Sequence, residues 1–196
     1  GCTDKRLCGD GGNNISSLVL GLSVEVISDS AFEGNQLSTI AIPDSVVTIG
    51  DSAFSINEIS RVTIPDSVIS IGNEAFLDNV LGEVIIGHGT VMIGNNAFRG
   101  SLTCRLNVGS YCPLLSFENN ILRLFLGSSL ETIGEFAFAG NSLISLTIPD
   151  SVVKVASYAF AANILTRVIV GNNLASLGES AFEVNRINAF VLSQNV

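Results

Sequence analysis

The sequence predicts a solenoid: a right-handed coil of about nine rungs, with a parallel β-sheet on one face and short extended or helical turns on the other. Three observations predict it. Phenylalanine recurs at positions 32, 54, 76, 98, 117, 138, 160 and 182, at spacings of 22, 22, 22, 19, 21, 22 and 22 residues. Seven of these eight follow an alanine; Phe117 follows Ser116 instead. Asparagine stands three residues after most of them, as at Asn35, Asn57, Asn79, Asn120, Asn141, Asn163 and Asn185. A fixed period of this length marks stacked units, each unable to bury its apolar side alone.

Each element of a unit follows from its residues. Between Asn35 and Phe54, Leu37, Ile40 and Ile42 are spaced L-x-x-I-x-I, and the alternation of β-branched residues predicts a short strand. Pro43 has no N–H to donate and ends it. Asp44 and Ser45 make the corner, and Val46 and Ile49 return to the interior from the opposite wall. Gly50 permits a sharp bend. Ser28 and Ala156 hold the same place in other units, so small size matters there more than a positive φ. Asp51 reads as the N-cap of one short turn, 52–55, that carries Ala53 and Phe54 inward. Strands recurring at this period cannot form hairpins and must pair in parallel, coil upon coil. The expected rungs end near Leu20, Ile42, Ile64, Ile86, Val108, Leu126, Ile148, Val170 and Leu192, and the eight phenylalanines form an internal column.

The unit N-x-L-x-x-I-x-I-P-D-S-V-x-x-I-G-x-x-A-F, closest in 35–54, 57–76 and 141–160, resembles the BspA-type leucine-rich repeat family. The resemblance covers about 13–196 and implies a leucine-rich-repeat solenoid. Where the better-known leucine-rich repeat places Asn just beyond the strand, this chain has Pro-Asp-Ser-Val, which favours the BspA type. The resemblance further implies a bacterial surface or secreted protein, some members of the family being adhesins, and a protein or glycan ligand of a host or neighbouring cell.

The domain reading is an N-terminal cap over 1–12 and a repeat domain over 13–196, irregular at 99–137. Between Phe98 and Phe138 lie 40 positions where two full units need 44, so a shortened coil is expected there, with Ser101 in place of the asparagine. Two of the four cysteines, Cys104 and Cys112, sit in that stretch, while Cys2 and Cys8 precede the first rung. Four rungs at ~4.8 Å separate the two groups by about 19 Å, beyond the ~7 Å Cα limit of a disulfide. The expected bonds are therefore Cys2–Cys8 and Cys104–Cys112, which point to an oxidising compartment. The alternatives are four free thiols in a cytosolic protein, or a Cys2 lipidated at a lipoprotein-type cleavage site with Cys8 left unpaired. The chain stops at Val196 just after the last strand, so association or continuation at that edge is also expected.

Composition excludes several classes. The chain of 196 residues has 9 basic and 18 acidic residues, a net charge of −9 and a pI near 4.4. That balance opposes general nucleic-acid binding. No apolar run approaches the ~18 residues of a membrane span, so no membrane insertion is expected. The one histidine, His88, takes the corner place of Asp44, Asp66 and Asp150 and reads as a solvated turn residue. A single histidine supports neither a metal pair nor a nucleophilic triad. Asp29, Asp51, Glu135 and Glu179 recur at the cap position but alternate with Asn73, Asn95 and Ser157, which suits helix capping better than a metal site. No enzyme activity, cofactor or metal is expected.

The outward strand face is more informative. Arg61, Arg105, Arg123 and Arg167 fall in one expected column, with Glu83 as its one acid; Ile85, Phe125 and Ile169 fall in the next. Open sheet faces are where repeat proteins bind partners, and arginine beside an aromatic is the composition of a binding hot spot. The predicted function is non-enzymatic protein binding or adhesion, with these seven residues as candidate contacts. The alternative is a spacer or terminal segment of a larger surface protein, with no ligand of its own.

Overall fold

The computed structural model describes residues 13–100 and 119–192. Its strands, in chain order, are β1 (Val26–Ile27), β2 (Thr48–Ile49), β3 (Arg61–Ile64), β4 (Ser70–Ile71), β5 (Glu83–Ile86), β6 (Met92–Ile93), β7 (Arg123–Phe125), β8 (Thr132–Ile133), β9 (Ser145–Ile148), β10 (Lys154–Val155), β11 (Arg167–Val170), β12 (Ser176–Leu177) and β13 (Ala189–Leu192). All pairings are parallel. One wall is a seven-stranded sheet in the order β1-β2-β4-β6-β8-β10-β12. The other is two three-stranded sheets, β3-β5-β7 and β9-β11-β13. This is the expected parallel-β solenoid, with the alternation along each strand visible in burial: in β3, Val62 and Ile64 are buried while Arg61 and Thr63 face out.

The core is a column of phenylalanines between the walls. Phe32, Phe54, Phe76, Phe98, Phe138, Phe160 and Phe182 stack in turn, with ring centroids 5.1 to 5.6 Å apart and planes within 17°. The centroid distance exceeds the ~4.8 Å rise per rung, so the rings are offset, the arrangement that the ring quadrupole prefers.

The column corrects the expected rung count. Phe98 stacks directly on Phe138, and β5 pairs directly with β7 in the register Glu83↔Arg123. No rung ending near Val108 stands between them, and the column has no place for Phe117. The interval is not two shortened units. It is one regular 22-residue unit carrying eighteen extra residues, 101–118, which lie outside the described residues. The stack closes across the insertion because Asn119, not Asn120, occupies the place after the alanine-phenylalanine pair, and Gly100 and Asn119 form a bridge. The expected disulfides Cys2–Cys8 and Cys104–Cys112, and the cap over 1–12, also lie outside the described residues.

The expected rungs ending near Leu20 and Ile42 are present as coils but not as strands. A strand is a property of a bonded pair. On this face, among the described residues, the only backbone–backbone bonds between the second and third coils run from Glu58 N–H to Leu37 O (2.9 Å) and from Ser60 N–H to Ser38 O (3.3 Å). On the other wall the same coils pair normally, Val26 with Thr48 and Thr48 with Ser70.

The corner before each phenylalanine is a turn, not a helix. Ser30, Ser52, Glu74, Asn96, Phe136, Tyr158 and Ser180 adopt left-handed φ values of 53–58°. Asp51 does not cap its own turn. Asp29 Oδ1 accepts the Asp51 N–H (2.8 Å), Asp51 Oδ1 accepts the Asn73 N–H (2.7 Å), Asn73 Oδ1 that of Asn95 (2.8 Å), and Asn95 Oδ1 that of Glu135 (2.8 Å). Aspartate and asparagine interchange here because only an acceptor oxygen is needed. Beside this ladder, a Cβ at Gly50 would lie 2.4 Å from Asp29 Oδ1 and 2.6 Å from Asp29 N, so the glycine is required for close approach between coils.

A second ladder is buried. Asn79 Oδ1 accepts the Ile59 N–H at 3.0 Å, while its Nδ2 donates to Phe54 O at 2.9 Å and Phe76 O at 3.2 Å. Asn57, Asn141, Asn163 and Asn185 repeat this pattern. Asn119 keeps it across the insertion, accepting from Leu81 N–H (3.1 Å) and donating to Phe76 O (2.8 Å). Each amide satisfies polar groups of adjacent coils that the dry core would otherwise leave unpaired.

Candidate binding face

The face of β3, β5 and β7 presents alternate residues outward because the inward ones fill the core. Parallel register sets Arg61, Glu83 and Arg123 in one row and Thr63, Ile85 and Phe125 in the next. Glu83, only 16% exposed, accepts from Arg61 Nε at 2.6 Å and from Arg61 Nη2, and Arg123 Nη1 lies 3.9 Å from its other oxygen. The carboxylate is thus committed to Arg61, and Arg123, 74% exposed, keeps most of its charge for solvent. With both guanidiniums largely in solvent, solvent screening keeps such pairs to about 1 kcal/mol or less each, so the row serves display more than stability.

Phe125 is 56% exposed, large for an aromatic ring. Ile85 and Ile169 are half-buried, and Arg167 is exposed. The structure thus brings Arg61, Arg123, Ile85 and Phe125 together, and sets Arg167 and Ile169 on β11, in the second sheet. Arg105 lies outside the described residues, and the place expected for it between Glu83 and Arg123 does not exist, since those two pair directly.

The face divides between β7 and β9. Ser142 N–H bonds Ile121 O at 3.0 Å. Among the described residues, the bond from Ile144 N–H to Leu122 O, the counterpart of Thr166 N–H to Ile144 O (2.8 Å) one coil on, is absent. The two strands diverge from there, while their partners on the other wall, β8 and β10, stay paired. The result is a wedge of about 350 Å³ whose walls include Leu122, Arg123, Phe125, Ser145 and Thr147. Leu124 and Leu126 are half-buried on its side, where the equivalent Val62, Ile64, Val84 and Ile86 are fully enclosed.

Sequence reasoning missed this wedge. Its one trace was the run Leu122–Leu126, apolar at four of five places where Ser60–Ile64 has two. It also missed an apolar stripe on the seven-stranded wall, where Val26, Val47, Ile69 and Met92 are exposed. His88 is exposed, as expected, yet it is more than a solvated turn. Its N–H donates to Asp66 Oδ1 (2.7 Å), and its Nδ1 lies 3.0 Å from Ser128 Oγ and accepts the Ser128 N–H at 3.3 Å. It continues the corner ladder of Asp66 across the insertion. Among the described residues, no group of three or more His, Cys, Asp or Glu side chains converges as metal ligands, and no helix is long and apolar enough to cross a membrane.

Stacked parallel coils, a phenylalanine column and an asparagine ladder define a leucine-rich-repeat protein. The chain belongs to the BspA-type leucine-rich repeat family: six copies of that repeat region match over residues 10–105 and 113–196. Three solved structures are similar, each at 20% identity. A leucine rich cell surface protein from Faecalibacterium prausnitzii matches over 88% of this chain and 58% of its own, at a TM-score of 0.47. A leucine-rich repeat protein from Bacteroides ovatus matches over 89% and 60%, at 0.49. The pneumococcal vaccine antigen PcpA matches over 87% and 64%, at 0.37. The chain spans about three fifths of the length of these structures. No curated protein matches the sequence.

Proposed function

We propose that the chain is a non-enzymatic protein-binding and adhesion module at the bacterial cell surface or outside the cell. Its ligand, a protein or glycan, docks on the face that carries Arg61, Arg123, Arg167, Ile85, Phe125 and Ile169. The observation that carries this reading is the exposure of Phe125 beside a guanidinium that no carboxylate fully neutralises. A ring held half in water adds little to the core, and an aromatic next to arginine is what a partner surface would bury. Family membership supports the placement, since BspA-type repeats are typical of surface and secreted proteins.

The test is adhesion of protein-coated beads to immobilised extracellular-matrix proteins and a glycan array. Wild-type protein binds, and Arg123→Glu with Arg167→Glu does not, while its thermal melt is unchanged. Binding retained by that variant would remove this face. No adhesion by the wild type would leave the spacer role as the better account.

A further inference from the structure

We infer that the wedge between β7 and β9 receives an extended, acidic peptide segment of the partner protein, which adds to the sheet as a strand. The inference deepens the proposed binding face and rests on it. In a parallel sheet, successive residues turn their peptide groups to opposite neighbours. Arg123 turns toward β5, its N–H reaching Gly82 O at 3.4 Å, so Leu124 turns toward the wedge. By the same pleat Leu146 turns toward β11, and Ser145 and Thr147 turn toward the wedge. Among the described residues nothing pairs with the N–H and C=O groups that these two strand edges turn toward each other across the gap. A row of free peptide groups is a template for one more strand.

Charge and burial choose the occupant. Arg123 stands at the lip, 74% exposed and paired only loosely with Glu83 at 3.9 Å, and Arg167 lies one rung beyond Ser145 on the other side. Among the described residues no acid other than Glu83 shares their row, and Glu83 is held by Arg61. An aspartate or glutamate on the incoming strand would meet Arg123, and its apolar neighbours would cover Leu124 and Phe125. A glycan has no peptide groups to continue the ladder, so a polypeptide fits the wedge better.

The probe is the capped peptide acetyl-Thr-Val-Asp-Val-Thr-Val-amide, read by amide hydrogen exchange on the full chain. In the free protein the Ser145 and Thr147 amides exchange at least ~100-fold faster than those of Arg167 and Ile169, which bond to β9. Saturating peptide slows Ser145 and Thr147 by tenfold or more. N-methylation of the peptide's alternate amides, or Arg123→Glu in the protein, weakens its binding at least tenfold.

Equal binding of the N-methylated peptide would overturn strand addition, as would no protection at millimolar peptide. Slow exchange of both amides in the free protein would also overturn it, because the edges would already be occupied, by this chain or, if sedimentation shows a dimer, by a second copy. These failures are separable from failure of the binding face itself. If bead adhesion still depends on Arg123 and Arg167 while the peptide leaves both amides unprotected, the face stands and the added strand falls.

Discussion

Phe98 stacks parallel to Phe138, ring centroids 5.3 Å apart and planes 3° apart, although 40 positions of sequence separate them. Their neighbours on the next coil, Phe138 and Phe160, stack at 5.5 Å after an ordinary 22-residue unit. The rings therefore stack across the interval that holds residues 101–118 as they do across a regular unit, and this has a direct consequence. Deleting 101–118 and joining Gly100 to Asn119 leaves a regular array. The variant is expected to unfold cooperatively with a Tm within about 4 °C of the parent, equivalent to ~1 kcal/mol at this size. Calorimetry checks it; a non-cooperative or absent transition would show that the insertion holds the coils together.

Asn119 and Asn120 are adjacent but differ in kind. Asn119 is buried and bonds the Leu81 N–H and the Phe76 carbonyl, whereas Asn120 is exposed. Asn119→Ala strands those buried groups and is expected to cost about 3–5 kcal/mol, at ~1–3 kcal/mol for each group left unpaired. Asn120→Ala removes only the acceptor of the Ser142 hydroxyl and is expected to cost about 0.5–1.5 kcal/mol, the worth of one hydrogen bond. Denaturant titration of both variants separates them.

Phe54 and Phe125 make the same contrast between core and face. Phe54 is fully buried in the column, so Phe54→Ala should cost about 3–5 kcal/mol. Phe125→Ala removes an exposed ring and should change stability by less than about 1 kcal/mol, while abolishing bead adhesion. Urea midpoints and the adhesion assay together test the assignment.

His88 works through one acceptor nitrogen, the part that asparagine Oδ1 plays in the neighbouring ladder. His88→Asn is therefore expected to be neutral within about 0.5 kcal/mol. His88→Leu leaves the Ser128 N–H to solvent and is expected to cost about 0.5–1.5 kcal/mol, the worth of one hydrogen bond. Thermal melts of the pair provide the comparison.

Much of the coil was legible because its determinants are local and repeated. Phe54 with Ala53, the alternation that turns Val62 and Ile64 inward, and Pro65 at the strand end each carry their role in their own chemistry. The insertion was not legible, because it imitates the repeat. Cys104, Leu106 and Val108 mimic a strand, and Phe117 with Asn120 mimics the phenylalanine-asparagine spacing. Spacing along the chain says nothing about which coil a strand pairs with; the choice of Arg123 for Glu83 is made by stacking. The ladders were hidden for another reason. Asp51, Asn73 and His88 differ in charge and shape and share only an acceptor aimed at the next coil. On the candidate face, exposure of Arg61, Arg123 and Phe125 followed from alternation, whereas the wedge depends on bonds that Ile144 and Leu122 do not make.

The direct neighbourhood of β5 and β7 brings the face together, and it can be read in solution. In a nuclear Overhauser spectrum of the full chain, backbone protons of Val84 and Ile85 should show cross-peaks to those of Leu124 and Phe125, at the close approach of adjacent strands (~4.8 Å between axes). Cross-peaks from Val84 and Ile85 to residues 104–108 instead, with none to 124–125, would restore a ninth rung, separate Glu83 from Arg123, and contradict the account.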